Sequence, residues 1–271
     1  MATESYHRTS VLPVVEPVSL TETKAHLRIS GSDEDTVVTN LIKVAREYAE
    51  AVQGRTFICR TYEMGFDDGF PSIIYPPYPP LVSVSSITYT DTAEATQTVT
   101  DTDYTVDTYS SPPRIYEAYG KVWPTGLLPD RNNVVVTYVA GMAAKFTASA
   151  ADVLTISGRT VEDDEIVRVW NLDGALPTGL AADTDYYVIS STGSTCELSL
   201  TSGGVKIDIT AVGSGTHYIS YAATTVPETV RMAIKLIVGH LYEHREETTE
   251  QALQRIPLGA KLLLNQNRVQ W

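Results

Sequence analysis

The chain has 271 residues, 43% of them hydrophobic, and 20 basic against 33 acidic side chains give it a formal net charge of −13. That apolar content supports a folded core, and the acidic excess argues against wrapping a nucleic-acid backbone while leaving passive proximity to DNA open. No apolar run approaches the roughly 20 residues of a membrane helix and no basic-then-apolar leader opens the chain, so a soluble, unsecreted protein is expected.

In chain order, residues 1–18 place Pro13 and Pro17 among Val14, Val15 and Val18, which demotes the stretch to an edge strand or an extended arm, an arm being favoured over a core strand. Ser19 stands three residues before Glu22, the spacing of a capping box, and predicts a short helix from Leu20 to Leu27. After Gly31 and the acids Asp33, Glu34 and Asp35, a second helix is predicted. Val37, Val38, Leu41, Ile42, Ala45, Tyr48, Ala49 and Val52 recur at helical spacing, the acids suit its dipole, and Gly54 suits its C-terminal cap.

From Arg55 to Val139 the period changes to two, and Arg60–Phe66, Val82–Tyr89, Tyr104–Asp107, Arg114–Tyr116 and Val134–Val139 are predicted strands. The run Tyr75-Pro76-Pro77-Tyr78-Pro79-Pro80 lacks a backbone donor at its prolines and reads as an extended connection between strands rather than a polyproline ligand.

Residues 144–224 differ in composition, with 4 basic and 10 acidic side chains and frequent glycines. Val153–Ser157, Ile166–Leu172, Tyr186–Ser191, Cys196–Leu200, Val205–Ile209 and His217–Tyr221 are six strand candidates, which imply a small antiparallel sandwich or barrel. Helical spacing returns with Pro227, Glu228 and the stripe Val230, Ala233, Ile234, Ile237, Val238, Leu241 and Tyr242. The last segment, Pro257–Trp271, carries Leu258, Leu262, Leu263 and Leu264 with Lys261 and Arg268, and is too short to stand alone, so it is expected to dock on its own subunit or on a partner. The fold class expected is α+β. A discontinuous domain of residues 1–143 and 225–271, with a helical core and an antiparallel β region, carries an inserted all-β module at 144–224.

Catalytic motifs are missing from the sequence: there is no phosphate-cradling glycine loop, dinucleotide fingerprint, serine-hydrolase elbow or zinc-protease helix. His240 and His244 have a spacing that suits one metal, but no third ligand is signalled, and surface or interface histidines are preferred. Asp101-Thr102-Asp103 starts like a calcium loop without its glycine and closing glutamate, and reads as a capped turn. The acids Glu162, Asp163, Asp164 and Glu165 read as a solvated turn rather than a hydrolase dyad. Cys59 and Cys196 fall in no metal or redox spacing and read as reduced packing residues. The 16 tyrosines suit either half-buried strands or sugar and protein binding. No cofactor is expected, and an interaction or structural role is favoured over an enzyme.

Leu20, Lys24, Leu27 and Arg28, then Asp33 and Asp35, then Leu41, Ile42, Ala45, Glu50, Gly54 and Arg55 follow one another in the order found in the phage head-to-tail connector, or adaptor, family, which the chain resembles. The resemblance resumes at Val136–Gly141, at Val226, Pro227, Ala233, Leu236, Tyr242, Glu243 and Arg245, and at Pro257 with Leu262 and Leu263. The inserted block is the departure, and its phrases Gly174–Pro177, Asp185–Val188 and Leu198–Gly204 resemble a small β module that recurs in phage virion proteins.

The family resemblance implies a non-enzymatic virion protein of the neck, made in the host cytoplasm. It would form a twelvefold ring under a portal protein, bind a tail-side neck or tail-completion protein, and let DNA pass through its channel without specific binding or any membrane. Leu258, Lys261, Leu262, Leu263, Leu264, Arg268 and Trp271 are the candidates for docking on the portal, and Val14, Val15, Val18, Arg28 and Arg55 for contacts between copies. The competing reading is a receptor- or glycan-binding tail accessory that uses the β module.

Overall fold

The computed structural model describes residues 5–11, 16–67, 69–127, 132–157, 160–172, 174–182, 184–221, 226–244, 258–266 and 268–269. Strand β1 (Ser5–Val11) precedes helices α1 (Leu20–Leu27) and α2 (Asp35–Gln53). Then come β2 (Arg60–Phe66), β3 (Ile73–Ile74), β4 (Leu81–Thr90), β5 (Thr96–Thr98), β6 (Tyr104–Asp107), β7 (Arg114–Glu117) and β8 (Val134–Ala140). A further run of strands, β9 (Ala144–Ala148), β10 (Leu154–Ile156), β11 (Ile166–Leu172), β12 (Tyr186–Ile189), β13 (Thr195–Ser199) and β14 (Thr216–Tyr221), leads to α3 (Glu228–Glu243) and α4 (Leu258–Asn265).

The α+β class expected from the sequence is what forms. Local chemistry explains the helix ends. The Ser19 hydroxyl accepts from the Glu22 N–H at 3.1 Å to start α1, and Gly54, at φ 64°, donates its N–H to the Glu50 carbonyl to close α2. Val38, Ile42, Ala45 and Ala49 of α2 pack against Val230, Ala233, Ile234, Ile237 and Val238 of α3, and Ala260 and Leu264 of α4 complete this helical core. Beside it lies a five-stranded antiparallel sheet in the order β1-β2-β8-β4-β5, with a small three-stranded sheet β3-β7-β6. Val134, Val136 and Tyr138 of the central β8 are fully buried.

The block that differs in composition closes into a six-stranded barrel, β10-β13-β12-β11-β14-β9, around Leu154, Val167, Val169, Val188, Leu198 and Ile219. Its first strand pairs with its last, Ala144 opposite Ile219, so the chain enters and leaves the barrel side by side. Trp170, 2% exposed, packs with Cys59, Val82 and Val139 and fixes the barrel to the large sheet. At Gly141, φ is 145° and a Cβ would lie 2.4 Å from the Cys59 Cα, so only glycine lets the chain turn from β8 toward the barrel.

Residues 5–11 take the edge-strand form of the two expected, pairing with β2 from Ser5 opposite Phe66 to Val11 opposite Thr61. Two expectations are corrected. Val205–Ile209 alternates like a strand but is not one. Only Lys206 bridges to the ladder, at Ser199, while Ile207 and Ile209 plug the barrel and the Asp152 carboxylate accepts the Ile209 N–H at 2.7 Å. The sixth barrel strand is instead β9, and the short β3 and β5 add to the strands that the alternation predicts.

Candidate assembly surfaces

The residues singled out for partner contact separate by burial. On α4, Leu258 and Leu262 are 73% and 60% exposed, one turn apart, with Lys261 exposed between them and Arg268 exposed just beyond. Leu263 is half-buried and Leu264 is fully buried in the chain's own helical core, so Leu264 is withdrawn from any partner. Trp271, Val14 and Val15 lie outside the described residues. Val18 is 1% exposed and belongs to the same helical core, which removes it from the intersubunit set. Arg28 is exposed at the left-handed end of α1. Arg55 is half-buried in a pocket of about 260 Å³ that His7, Glu47, Arg60 and Tyr78 also line.

The tail is held by a clamp that local sequence does not announce. The buried Gln53 amide donates to the Leu264 carbonyl at 2.9 Å, and the Gln53 carbonyl accepts the Val269 N–H at 2.9 Å, tying both ends of the closing segment to the end of α2. Only the meeting of residues more than 200 positions apart reveals it. The same holds for Glu22, whose carboxylate accepts from Arg231 at 2.5 Å and Lys235 at 2.7 Å and locks α1 onto α3. Burial alone would raise the Glu22 carboxyl, but these two cations hold it below the usual carboxylate range.

A second ionic cluster joins the segment before α1 and helix α2 to strand β2. Arg46 pairs with Glu16 at 2.7 Å and Glu50 at 2.8 Å, Arg60 donates to the same Glu50 oxygen, and the Phe57 N–H donates to the other at 2.8 Å. Burial pushes the Glu16 carboxyl above its ordinary value even though Arg46 favours its charge.

The residues weighed for chemistry have structural partners. His240 and His244 lie 4.6 Å apart between ring centres, tilted by 36°, and the His244 ring meets the His240 carbonyl; among the described residues no group of three or more His, Cys, Asp or Glu is placed to hold a metal. Asp163 accepts the Ser191 N–H at 2.7 Å and Asp164 the Ser202 hydroxyl at 2.5 Å, which makes that acidic turn a brace between barrel loops. Asp103 ends a short 3-10 turn and pairs with Lys121 at 2.5 Å. Both cysteines are buried and free, and burial, with nearby Asp163, Glu165 and Glu197, pushes the Cys196 thiol up to about 12, so it stays an unreactive packing group.

Comparison with known proteins gives this arrangement its class. Residues 17–113, from the turn before α1 to the loop before β7, match the family model of the phage gp6-like head-tail connector protein. Over that stretch, a little over a third of its length, the chain is similar to head-tail connector proteins of that kind. Solved chains extend the likeness in fold to nearly the whole molecule. One from the neck of an empty gene transfer agent particle computed with C6 symmetry has TM-score 0.58 and 14% identity, covering 98% of this chain and 96% of that one. Another, from the virion of a native gene transfer agent particle, has TM-score 0.57, 14% identity and the same coverage. A third, from the neck of the native particle computed with C12 symmetry, has TM-score 0.52 and 13% identity, covering 96% of each chain. Coverage this complete leaves no room for an unmatched barrel, so residues 144–221 belong to the shared fold. Comparison with curated proteins gave no significant match.

Proposed function

We propose that this chain is the adaptor of a virion neck: copies assemble as a ring beneath a portal and continue the channel through which DNA leaves the head toward the tail. The observation that carries the reading is the family match across α1, α2 and the first strands, joined to a fold that follows neck chains from end to end. The exposed side of α4 is the portal-docking face. Leu258 and Leu262 offer apolar anchors, and Lys261 and Arg268 give this tail a positive charge with no acid among residues 257–271. The tail-side partner is a neck or tail-completion protein. A net charge of −13 suits a wall past which DNA slides without sticking, and neither cofactor nor turnover is part of the role.

Because α4 plugs the helical core, cutting the tail away would unfold the subunit and test nothing about docking. The informative variant is Leu258→Glu with Leu262→Glu, at two exposed positions. Light scattering of the intact chain, alone and with a candidate portal protein, is expected to show a ring or a portal complex, and the variant to keep its fold while losing the portal. A wild-type chain that stays monomeric and ignores the portal overturns the adaptor reading.

A further inference from the structure

Helix α2 carries more apolar surface than its subunit covers. At about 100° per residue, Val38, Ile42, Ala45 and Ala49 face the core, whereas Val37, Leu41, Val44, Tyr48 and Ala51 fall on a second line at spacings of four and three. Leu41 and Tyr48, on the flank nearer the core, are half-buried; Val37 and Val44 remain 40% and 51% exposed, and Ala51 is exposed too. Such a seam suits an apolar partner along several turns. The charges exposed on this side between Thr36 and Ala51 are Lys43 and Glu47, one of each sign.

We propose that this outer seam of α2 is the surface on which the next copy of the chain seats. The inference rests on the ring reading above and adds to it the place of contact. Copies that each carry a charge of −13 repel one another, and covering an apolar seam bordered by one exposed charge of each sign adds nothing to that repulsion. The occupant is a second copy because chains of this fold, matched over 96% of their length, occur in necks with C6 and C12 symmetry. A closed ring joins unlike faces, so the neighbour seats with a surface other than its own seam.

The test uses the full chain and two readouts. Val37→Glu with Val44→Glu is expected to raise the concentration needed for assembly by more than about tenfold, since a carboxylate would be buried in the contact. Met232→Glu, at an equally exposed apolar position on α3, is expected to leave assembly unchanged. Independently, the thiol introduced by Val44→Cys is expected to react at least about tenfold more slowly in the assembled state than in the monomer, against the buried Cys59 and Cys196 as background. Rings that form equally well with both glutamates, or an introduced thiol that reacts equally fast in both states, overturn the seam proposal and leave the adaptor reading standing. A wild-type chain that assembles neither alone nor on a portal overturns both.

Discussion

Single carboxylates show how the helical domain responds to pH. Glu22 is held charged by Lys235 and Arg231 and titrates below its unfolded value, so its contribution is complete above about pH 4.3 and is lost as pH falls through the folded value. Glu16 has the opposite sign: burial raises it, and its charged form costs stability as pH rises through its folded value. Melting temperature followed from pH 7 to pH 3 is therefore expected to fall less steeply for Glu22→Gln than for the wild type, and the two curves should converge at the acid end. Glu16→Gln removes a group whose charge is unfavourable, so this variant should compare better with the wild type at pH 7 than at pH 4, the reverse of the trend at Glu22. At Gln53, alanine removes the donor to the buried Leu264 carbonyl and should cost about 1–3 kcal/mol in denaturant unfolding.

Among the elements, α4 has a buried side in the helical core and, on the opposite side, the exposed leucines proposed for docking. Leu264→Ala should cost about 2–5 kcal/mol because it empties a fully buried site, whereas Leu262→Ala, at an exposed one, should stay within about 0.5 kcal/mol; chemical denaturation of both variants checks this. Elements whose cause is local were legible in the sequence. The spacing from Val38 to Ala49 and the cap at Gly54 specify α2 without reference to anything distant, and the β-rich run Val134–Val139 specifies a strand, though not its central place in the sheet. Elements made by closure were not. Ala144–Ala148 has a single large apolar residue, Phe146, and becomes a strand only because β10 and β14 flank it. Val205–Ile209 has the better alternation but makes only a single bridge to β13, and its isoleucines serve as a plug instead. The residues proposed for assembly divide in the same way: an amphipathic tail could be read from the sequence, but which leucines stay exposed, the burial of Leu264 and Val18, and the clamp at Gln53 depend on long-range packing.

At the scale of the molecule, the barrel and the sheet share one hydrophobic joint, and Trp170 is its largest member. Trp170→Ala is expected to cost about 3–5 kcal/mol and to separate one calorimetric transition into two, with the barrel and the helical domain melting independently. Removing the joint should leave the barrel itself closed, since its own core lies among β9 to β14. The side-by-side entry and exit of the barrel, with Ala144 opposite Ile219, bears on how the subunit carries mechanical load. Tension applied along the chain, from the sheet through to α3, meets the two barrel termini at neighbouring points and passes across the β9–β14 pair. Strand β11 is tied to the large sheet through Trp170 as well, so load reaches the barrel at one pair of strands and one lateral joint, and β10, β12 and β13 carry neither attachment.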